Sequence, residues 1–400
     1  MKILLVADGR SAITHGWLEC IAAGDDVHID LVSTFPCEKP QQVERMLILP
    51  VAFSSLAGGQ VNLADKEQTA HSWKKKLSGL RTMFLKLRYH WGPYTLPFYR
   101  RRFLDFVSKC QPDIVHALRI PYEGMLASCT PSSIPVILST WGNDLTLHAR
   151  GSRRMKHETQ KALQRANGLM ADADRDLELA QVFGFRAALP CLMVPGNGGL
   201  DLNVFKRLNA EGVPDTQHTA LQIVNPRGFR PGSVHQDVFF HAIPLVLKAF
   251  PDVQFVCTAM QGQPQAERFV HELGIADHVT LLPYLPQQDL WSLYLRSQIY
   301  VSLSSHDGTP NTFLEAIACG CFPVVGDIAS LRHWIRNGEN GLLVDPQDVE
   351  QAAQAIITAL KDDSLRRAAQ ITNWEMIQKE VDRDKVCMRV MGFYSQLLDR

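Results

Sequence analysis

SHDGTPNTFLEAIACGCFPVV, Ser305 to Val325, is the stretch that decides how this chain is read. Ile299 to Leu303 before it is a short apolar, β-favouring run, and Ser304 to Gly308 is polar and turn-prone, so a strand runs out into a loop. The residues that follow have helical character. Thr309 suits an N-cap and Pro310 the first helical position, which predicts that the amides of Asn311, Thr312 and Phe313 lack intrahelical partners. Free amides and the helix dipole favour an anion or a sugar oxygen at that end. Asp307 projects from the loop and Glu315 lies one turn into the helix. Two acceptor-only carboxylates flanking a cluster of N–H donors can hold hydroxyl groups from both sides.

The stretch resembles the donor-site signature of the retaining GT-B glycosyltransferases of family 4, the glycosyl transferases group 1. Their pattern is E-x7-E, a helix of small residues and a Pro-Val strand. The resemblance implies that Asp307 holds the donor sugar with the loop Gly308, Thr309, Pro310, Asn311 and Thr312, and that Glu315 holds the nucleotide ribose. Asp307 is one methylene shorter than the Glu usual there.

Working outward, apolar runs alternate with helical periodicity over most of the 400 residues, the mark of parallel α/β architecture. A chain this long exceeds the usual single core, so two domains are expected. Strands are read at Lys2 to Ala7, His28 to Val32, Asp113 to Ala117, Val136 to Ser139, Leu169 to Ala171 and Cys191 to Val194. A second series runs through Leu221 to Val224, Phe255 to Thr258, Val279 to Leu281, Ile299 to Leu303, Pro323 to Val325 and Leu342 to Val344. Two doubly wound sheets follow. VPGNGGLDLNVF, Val194 to Phe205, breaks regular structure between the series and is similar to the family's domain linker. With the resemblance, the expectation is a GT-B fold of two Rossmann-like domains with an interdomain cleft. The divisions expected are an acceptor domain over 1–195, a linker over 196–205, a donor domain over 206–373, and a helix from Trp374 to the end that crosses back.

NPRGFRPGSVHQDVFF, Asn225 to Phe240, stands where the family carries an Arg and, five residues on, a Lys for the diphosphate. Arg227 matches the first; Gly232 stands at the second, which leaves Arg230 as the second cation. Two guanidinium groups can hold a diphosphate by forked, charge-assisted bonds and stabilise it as a leaving group. The competing reading is a solvated or acid-paired loop. In DIVHALRIPYEG, Asp113 to Gly124, His116 ends a strand and Arg119 follows in the loop; Leu118 replaces the second His of the family's H-x-H. His116 is either a satisfied structural histidine or, with Arg227, Asp307 and Glu315, part of the catalytic set. STWGNDLTLHA, Ser139 to Ala149, ends the next strand, where open parallel sheets bind ligands. Trp141, Asn143, Asp144 and His148, with Arg119, are the candidate acceptor contacts, and a cap is the alternative for Asp144. ADGRSAITH, Ala7 to His15, holds Gly9 but no G-x-G-x-x-G, which argues against a dinucleotide oxidoreductase. Gly9 is either a plain turn glycine or a point of close approach to the donor.

The formal net charge is zero, from 41 basic and 41 acidic residues, so nothing global points to nucleic acid. Nine cysteines show neither disulfide framework nor zinc spacing and fit reduced thiols in the cytosol. No metal and no cofactor is expected; the nucleotide-diphosphate sugar, UDP- or GDP-type, is a substrate. The amino terminus lacks the long apolar run of an export signal, and no window approaches the roughly 20 apolar residues that span a bilayer. Trp73 to Arg102 holds nine Lys or Arg and no Asp or Glu among aromatic and aliphatic side chains. It reads as a segment for an anionic membrane surface; a nucleic-acid patch, a solvated face and an anionic-glycan site are the rivals. The combined expectation is a cytoplasmic glycosyltransferase, peripheral at the inner face of the cell membrane, that moves a sugar with retention to a glycan or lipid-linked acceptor of a surface polysaccharide. The alternative is a non-catalytic subunit that binds a sugar nucleotide or partner and regulates a companion transferase.

Overall fold

The structure, a computed structural model, describes residues 1–24, 26–56, 87–211, 221–230 and 232–399. The chain divides into two compact units, Met1–Gly199 with Arg383–Arg400, and Leu200–Asp382. The part of the basic segment that precedes Leu87 lies outside the described residues.

The first unit is built on a seven-stranded sheet in the order β3-β2-β1-β4-β5-β6-β7. Its strands are β1 (Lys2–Ala7), β2 (His28–Ser33), β3 (Met46–Ile48), β4 (Ile114–Ala117), β5 (Val136–Thr140), β6 (Gly168–Ala171) and β7 (Cys191–Met193). All pairings are parallel. Helices cover both faces, so the central strands are apolar throughout; β4 and β5 are buried at every residue. Strand β3 is absent from the sequence reading. It is three residues long, half-buried, and sits at the edge, where a short segment needs little apolar signal.

The second unit has a six-stranded parallel sheet in the order β10-β9-β8-β11-β12-β13. Its strands are β8 (Gln222–Asn225), β9 (Gln254–Cys257), β10 (Val279–Leu281), β11 (Ile299–Ser302), β12 (Phe322–Gly326) and β13 (Leu342–Val344). Strand order reverses between β1 and β4 in one unit and between β8 and β11 in the other. Loops leave in opposite directions there, which opens a crevice at the carboxyl ends of the strands.

The glycine-rich stretch after β7 is held to the Ala12–Ala22 helix by the Trp17 indole N–H, which donates to the Gly196 carbonyl at 2.7 Å. A Cβ on Gly16 would stand 2.4 Å from the Asn197 carbonyl oxygen, and Gly198 and Gly199 have φ of +78° and +90°. Here close approach and left-handed backbone both require glycine. The single helix expected from Trp374 is two, Asp363–Glu380 and Arg383–Leu398, with the break at Val381 and Asp382. There the Val381 carbonyl accepts from the Leu200 amide at 2.8 Å, a bond that a continuous helix would not leave open. Arg383–Leu398 packs on the Ala12–Ala22 helix within the first unit.

Candidate functional site

In the second unit, Arg227 follows β8 and Asp307 follows β11, so the reversal point brings together two side chains 80 residues apart. They form an ion pair. Arg227 is buried, and its loop is fixed from behind: its amide donates to Asn225 Oδ1 at 3.1 Å, and its carbonyl accepts from Gln236, which Asn225 engages at 2.7 Å. Arg227 Nε has no hydrogen-bond partner among the described residues. Arg230 is exposed and stands outside this buried set; its carbonyl accepts the Ser233 and Val234 amides.

The helix start differs from the expectation in two ways. Pro310, not Thr309, is the cap residue, in extended conformation with the helix running Asn311–Ala318. The Thr309 hydroxyl instead accepts from the Trp334 indole at 2.9 Å. Phe313 is not among the open amides, because its N–H reaches the Pro310 carbonyl at 3.0 Å. Asn311 and Thr312 keep amides without an acceptor among the described residues, as the first turn of any helix requires. Asp307 accepts the Gly308 amide at 3.0 Å, and its carbonyl takes the Ser330 hydroxyl at 3.0 Å, so the loop is pinned on both sides. Glu315 is buried and accepts from Gln287 at 2.8 Å. Burial pushes its carboxyl up to about 7. Gln287 and the adjacent Trp291 indole offset part of that rise, although the indole N–H makes no hydrogen bond of good geometry.

In the first unit the reversal point holds a cavity of about 140 Å³. The expected Arg119, Trp141 and His148 line it, together with residues the sequence reading passed over: Asp8, Arg88, Tyr89, Tyr122 and Glu123 among them. Arg119 donates to Asp144 at 2.9 Å and lies over the Trp141 ring. Asp144 is fully buried, and its carboxylate also accepts the Ile120 and Trp141 amides at 3.0 and 3.2 Å. It organises the loops and is closed to an acceptor hydroxyl, a correction of the expected role. Asn143, half-buried, gives its carbonyl to the Leu147 and His148 amides, and its Oδ1 has no partner among the described residues. His148 pairs with the Tyr89 hydroxyl at 2.8 Å, and burial pushes its imidazole down to about 4.

Two further expectations change. His116 is wholly buried: one ring nitrogen meets the Tyr394 hydroxyl at 2.7 Å and the other the Ser139 hydroxyl at 2.8 Å, with Trp17 edge-on. Burial lowers it to about 3. With both nitrogens engaged and no access, it is the structural histidine and not a catalyst. Gly9 donates its amide to Ser33 Oγ at 3.1 Å, and a Cβ there would meet Cys37 Sγ at 2.4 Å. Internal packing against Ser33 and Cys37 accounts for the glycine.

Among the described residues no group of three His, Cys, Asp or Glu is placed to hold a metal ion, and no helix is long and apolar enough to cross a membrane.

Comparison with known proteins bears on this geometry. Residues 232–373 match the family Glycosyl transferases group 1. The chain is 36% identical over 162 residues to an exopolysaccharide phosphotransferase of Streptomyces coelicolor, covering 39% of this chain and 16% of that protein. It is 31% identical over 141 residues to the D-inositol 3-phosphate glycosyltransferase of Thermomonospora curvata, covering 33% of this chain and 32% of that one. The matched segments thus span a third or less of these relatives. The solved structure of HepE from Anabaena in complex with UDP superposes with a TM-score of 0.70 at 13% identity, over 99% of this chain and all of that one. Residues 232–373 are therefore a glycosyl transferases group 1 domain, set in a chain whose two Rossmann-like units have the GT-B fold.

Proposed function

We propose that the protein is a glycosyltransferase that moves a sugar, with retention, from a UDP-type nucleotide sugar to an acceptor hydroxyl in the assembly of a surface polysaccharide or lipid-linked glycan. The observation that carries this is the pairing of buried Arg227 with Asp307, which lies with the open Asn311 and Thr312 amides and buried Glu315 inside residues 232–373, the stretch that matches glycosyl transferases group 1. Arg227 is the cation for the donor diphosphate, with exposed Arg230 supplementing it. Asp307, Gly308 and the helix start take the sugar, and Glu315 takes ribose hydroxyls. In the reaction the acceptor oxygen bonds to the anomeric carbon as the bond from that carbon to the diphosphate breaks, and the acceptor proton passes to the departing diphosphate on the same face. Positioning and leaving-group electrostatics supply the acceleration, without a metal ion or a protein nucleophile.

The site is proposed to act in the cytoplasm at a membrane surface. Trp91, Tyr94 and Phe98 are 60%, 55% and 81% exposed beside Arg100, Arg101 and Arg102, the pairing of aromatic and basic side chains that suits an anionic interface.

One observation favours the alternative of a non-catalytic regulatory subunit: Arg227 is already neutralised by Asp307. Incubation of the purified chain with UDP-sugars decides between them. Sugar-nucleotide consumption lost in Arg227→Ala supports the transferase, and NMR of the product anomer reads retention against inversion. Nucleotide binding without turnover supports the subunit.

A further inference from the structure

The cavity at the reversal point of the first unit has a charge pattern that specifies its ligand more closely than the presence of a transferase domain does. Two of its carboxylates are already occupied. Asp8 is held by Arg10 through two bonds of 3.0 Å, and Asp144, behind the wall, is held by Arg119 and two amides. Glu123 is 3% exposed; its Oε1 accepts from the Thr34 hydroxyl at 3.0 Å, while its Oε2 has no partner among the described residues. Burial raises this carboxyl to about 8, so at neutral pH it carries a proton that Oε2 can donate. His148 is neutral for the same reason. Arg88 is different. Its guanidinium lies over the Tyr122 and Phe35 rings, 4.8 and 5.5 Å from their centres, with no carboxylate partner among the described residues and Nε unpartnered. Arg119 Nε also has no partner among the described residues. Among the described residues the lining is therefore left with a cation that has no carboxylate partner, and the side chains around this one small space carry buried guanidinium and carboxyl atoms without partners. Buried polar atoms in native proteins almost always find partners, so a set of orphans at a pocket indicates a missing ligand.

The backbone at the pocket is consistent with a built site. Tyr122 sits at φ +66°, strain of the kind that accumulates where side chains must be aimed, and its hydroxyl donates to the Arg88 carbonyl at 2.7 Å, which ties the strained residue to the cation. Next to Arg88 and Tyr89, Leu87 and Trp91 are 42% and 60% exposed, so a ligand held by its head in the pocket has an apolar surface close at hand.

We propose that this pocket binds a phosphorylated polyol, with Arg88 and Arg119 holding the phosphate and the Glu123 carboxyl engaging a hydroxyl. As the acceptor of the transfer, this ligand rests on the transferase reading; as a ligand of the pocket it does not. A volume near 140 Å³ admits a phosphate with a short polyol and little more.

The test measures binding to the full chain by calorimetry with glycerol 3-phosphate, dioctanoyl phosphatidylglycerol and glycerol, and with UDP as an independent probe of the second unit. Both phosphorylated probes are expected to bind and glycerol is not. Arg88→Gln is expected to weaken the phosphorylated probes about tenfold or more while UDP binding is unchanged, which also shows the variant is folded. A lipid probe tighter than glycerol 3-phosphate identifies a lipid headgroup, and equal affinities a soluble phosphate ester. Glycerol binding as well as glycerol 3-phosphate, no phosphorylated probe binding, or an Arg88→Gln chain with undiminished affinity would overturn the proposal. Phosphorylated probes that bind to a chain indifferent to UDP would keep the pocket and remove the transferase reading.

Discussion

The two strand-order reversals share a topology and use charge in opposite ways. At β8 and β11 the cation is matched internally: Arg227 and Asp307 close on each other, and Glu315 is bonded by Gln287. At β1 and β4 the carboxylates are matched and Arg88 is left over, with Glu123 Oε2 and the Arg119 Nε unsatisfied. On the proposed assignments, one crevice exchanges an internal partner for its ligand, and the other is completed by its ligand. The first arrangement holds a buried guanidinium in place without substrate, since an unpaired buried charge costs several kcal/mol. The second leaves polar groups unsatisfied and gains the full value of their bonds on binding.

Removing the cation of the internal pair should have the largest effect. Arg227→Ala removes the cation proposed for the diphosphate, and turnover of UDP-sugar is expected to fall by about 100-fold to 1,000-fold. Steady-state kinetics on chain shown to be folded by circular dichroism checks this. A fall of less than tenfold would mean that the pair is structural only.

Glu315 sharpens the comparison through pH. Its carboxyl, raised to about 7 in the fold, ionises near 4.3 when unfolded. The folded state binds the extra proton between those values, so stability is fully present below about pH 4.3 and is lost as pH rises to about 7, by about 4 kcal/mol. Glu315→Gln should remove that slope in urea titrations between pH 4 and 8, and be more stable than the parent at pH 8 while losing turnover. A parallel slope in both chains would place the titrating group elsewhere.

His116 belongs to neither crevice, and its substitution should separate stability from chemistry. His116→Ala leaves the Tyr394 and Ser139 hydroxyls without their partner, an expected loss of about 2 kcal/mol. Turnover per folded molecule should stay within about threefold, well under one power of ten in rate. A stable His116→Ala chain with turnover lowered a hundredfold would restore the catalytic reading.

The smallest expected effect is the most discriminating for the exchange idea. Asp307→Asn removes the charge that competes for Arg227, so UDP alone should bind a few-fold tighter, on the order of 1 kcal/mol, while sugar transfer slows. Isothermal titration reads the first and kinetics the second. Weaker UDP binding in Asp307→Asn would show that the carboxylate assists the nucleotide rather than competing with it.

Much of this was legible in the residues. The two strand series and the breaks between them follow from apolar runs that parallel strands need on both faces, and Arg227, Asp307 and Glu315 stand out by their match to the family 4 donor-site pattern, which gives their roles as expectations. What was not legible depends on partners distant in sequence. Thr309 reads as a cap until Trp334 claims its hydroxyl. Asp144 reads as an accessible carboxylate until Arg119 and the Ile120 amide enclose it. Arg88 and Glu123 become one pocket only when the loop after β4 and the helix turn around Tyr89 meet. A single acidic residue in the apolar, proline-containing loop Ile120 to Gly124 was the available signal for Glu123. The edge strand β3 offers three residues of pattern, too few to distinguish from loop.

The central claim is that Arg227 and Glu315 form the nucleotide-diphosphate site. Calorimetric titration of UDP into the full chain, Arg227→Ala and Glu315→Ala tests it most directly. One UDP should bind the parent chain, with affinity lowered at least about tenfold in each variant. No binding to the parent, or equal affinity in all three, would contradict it.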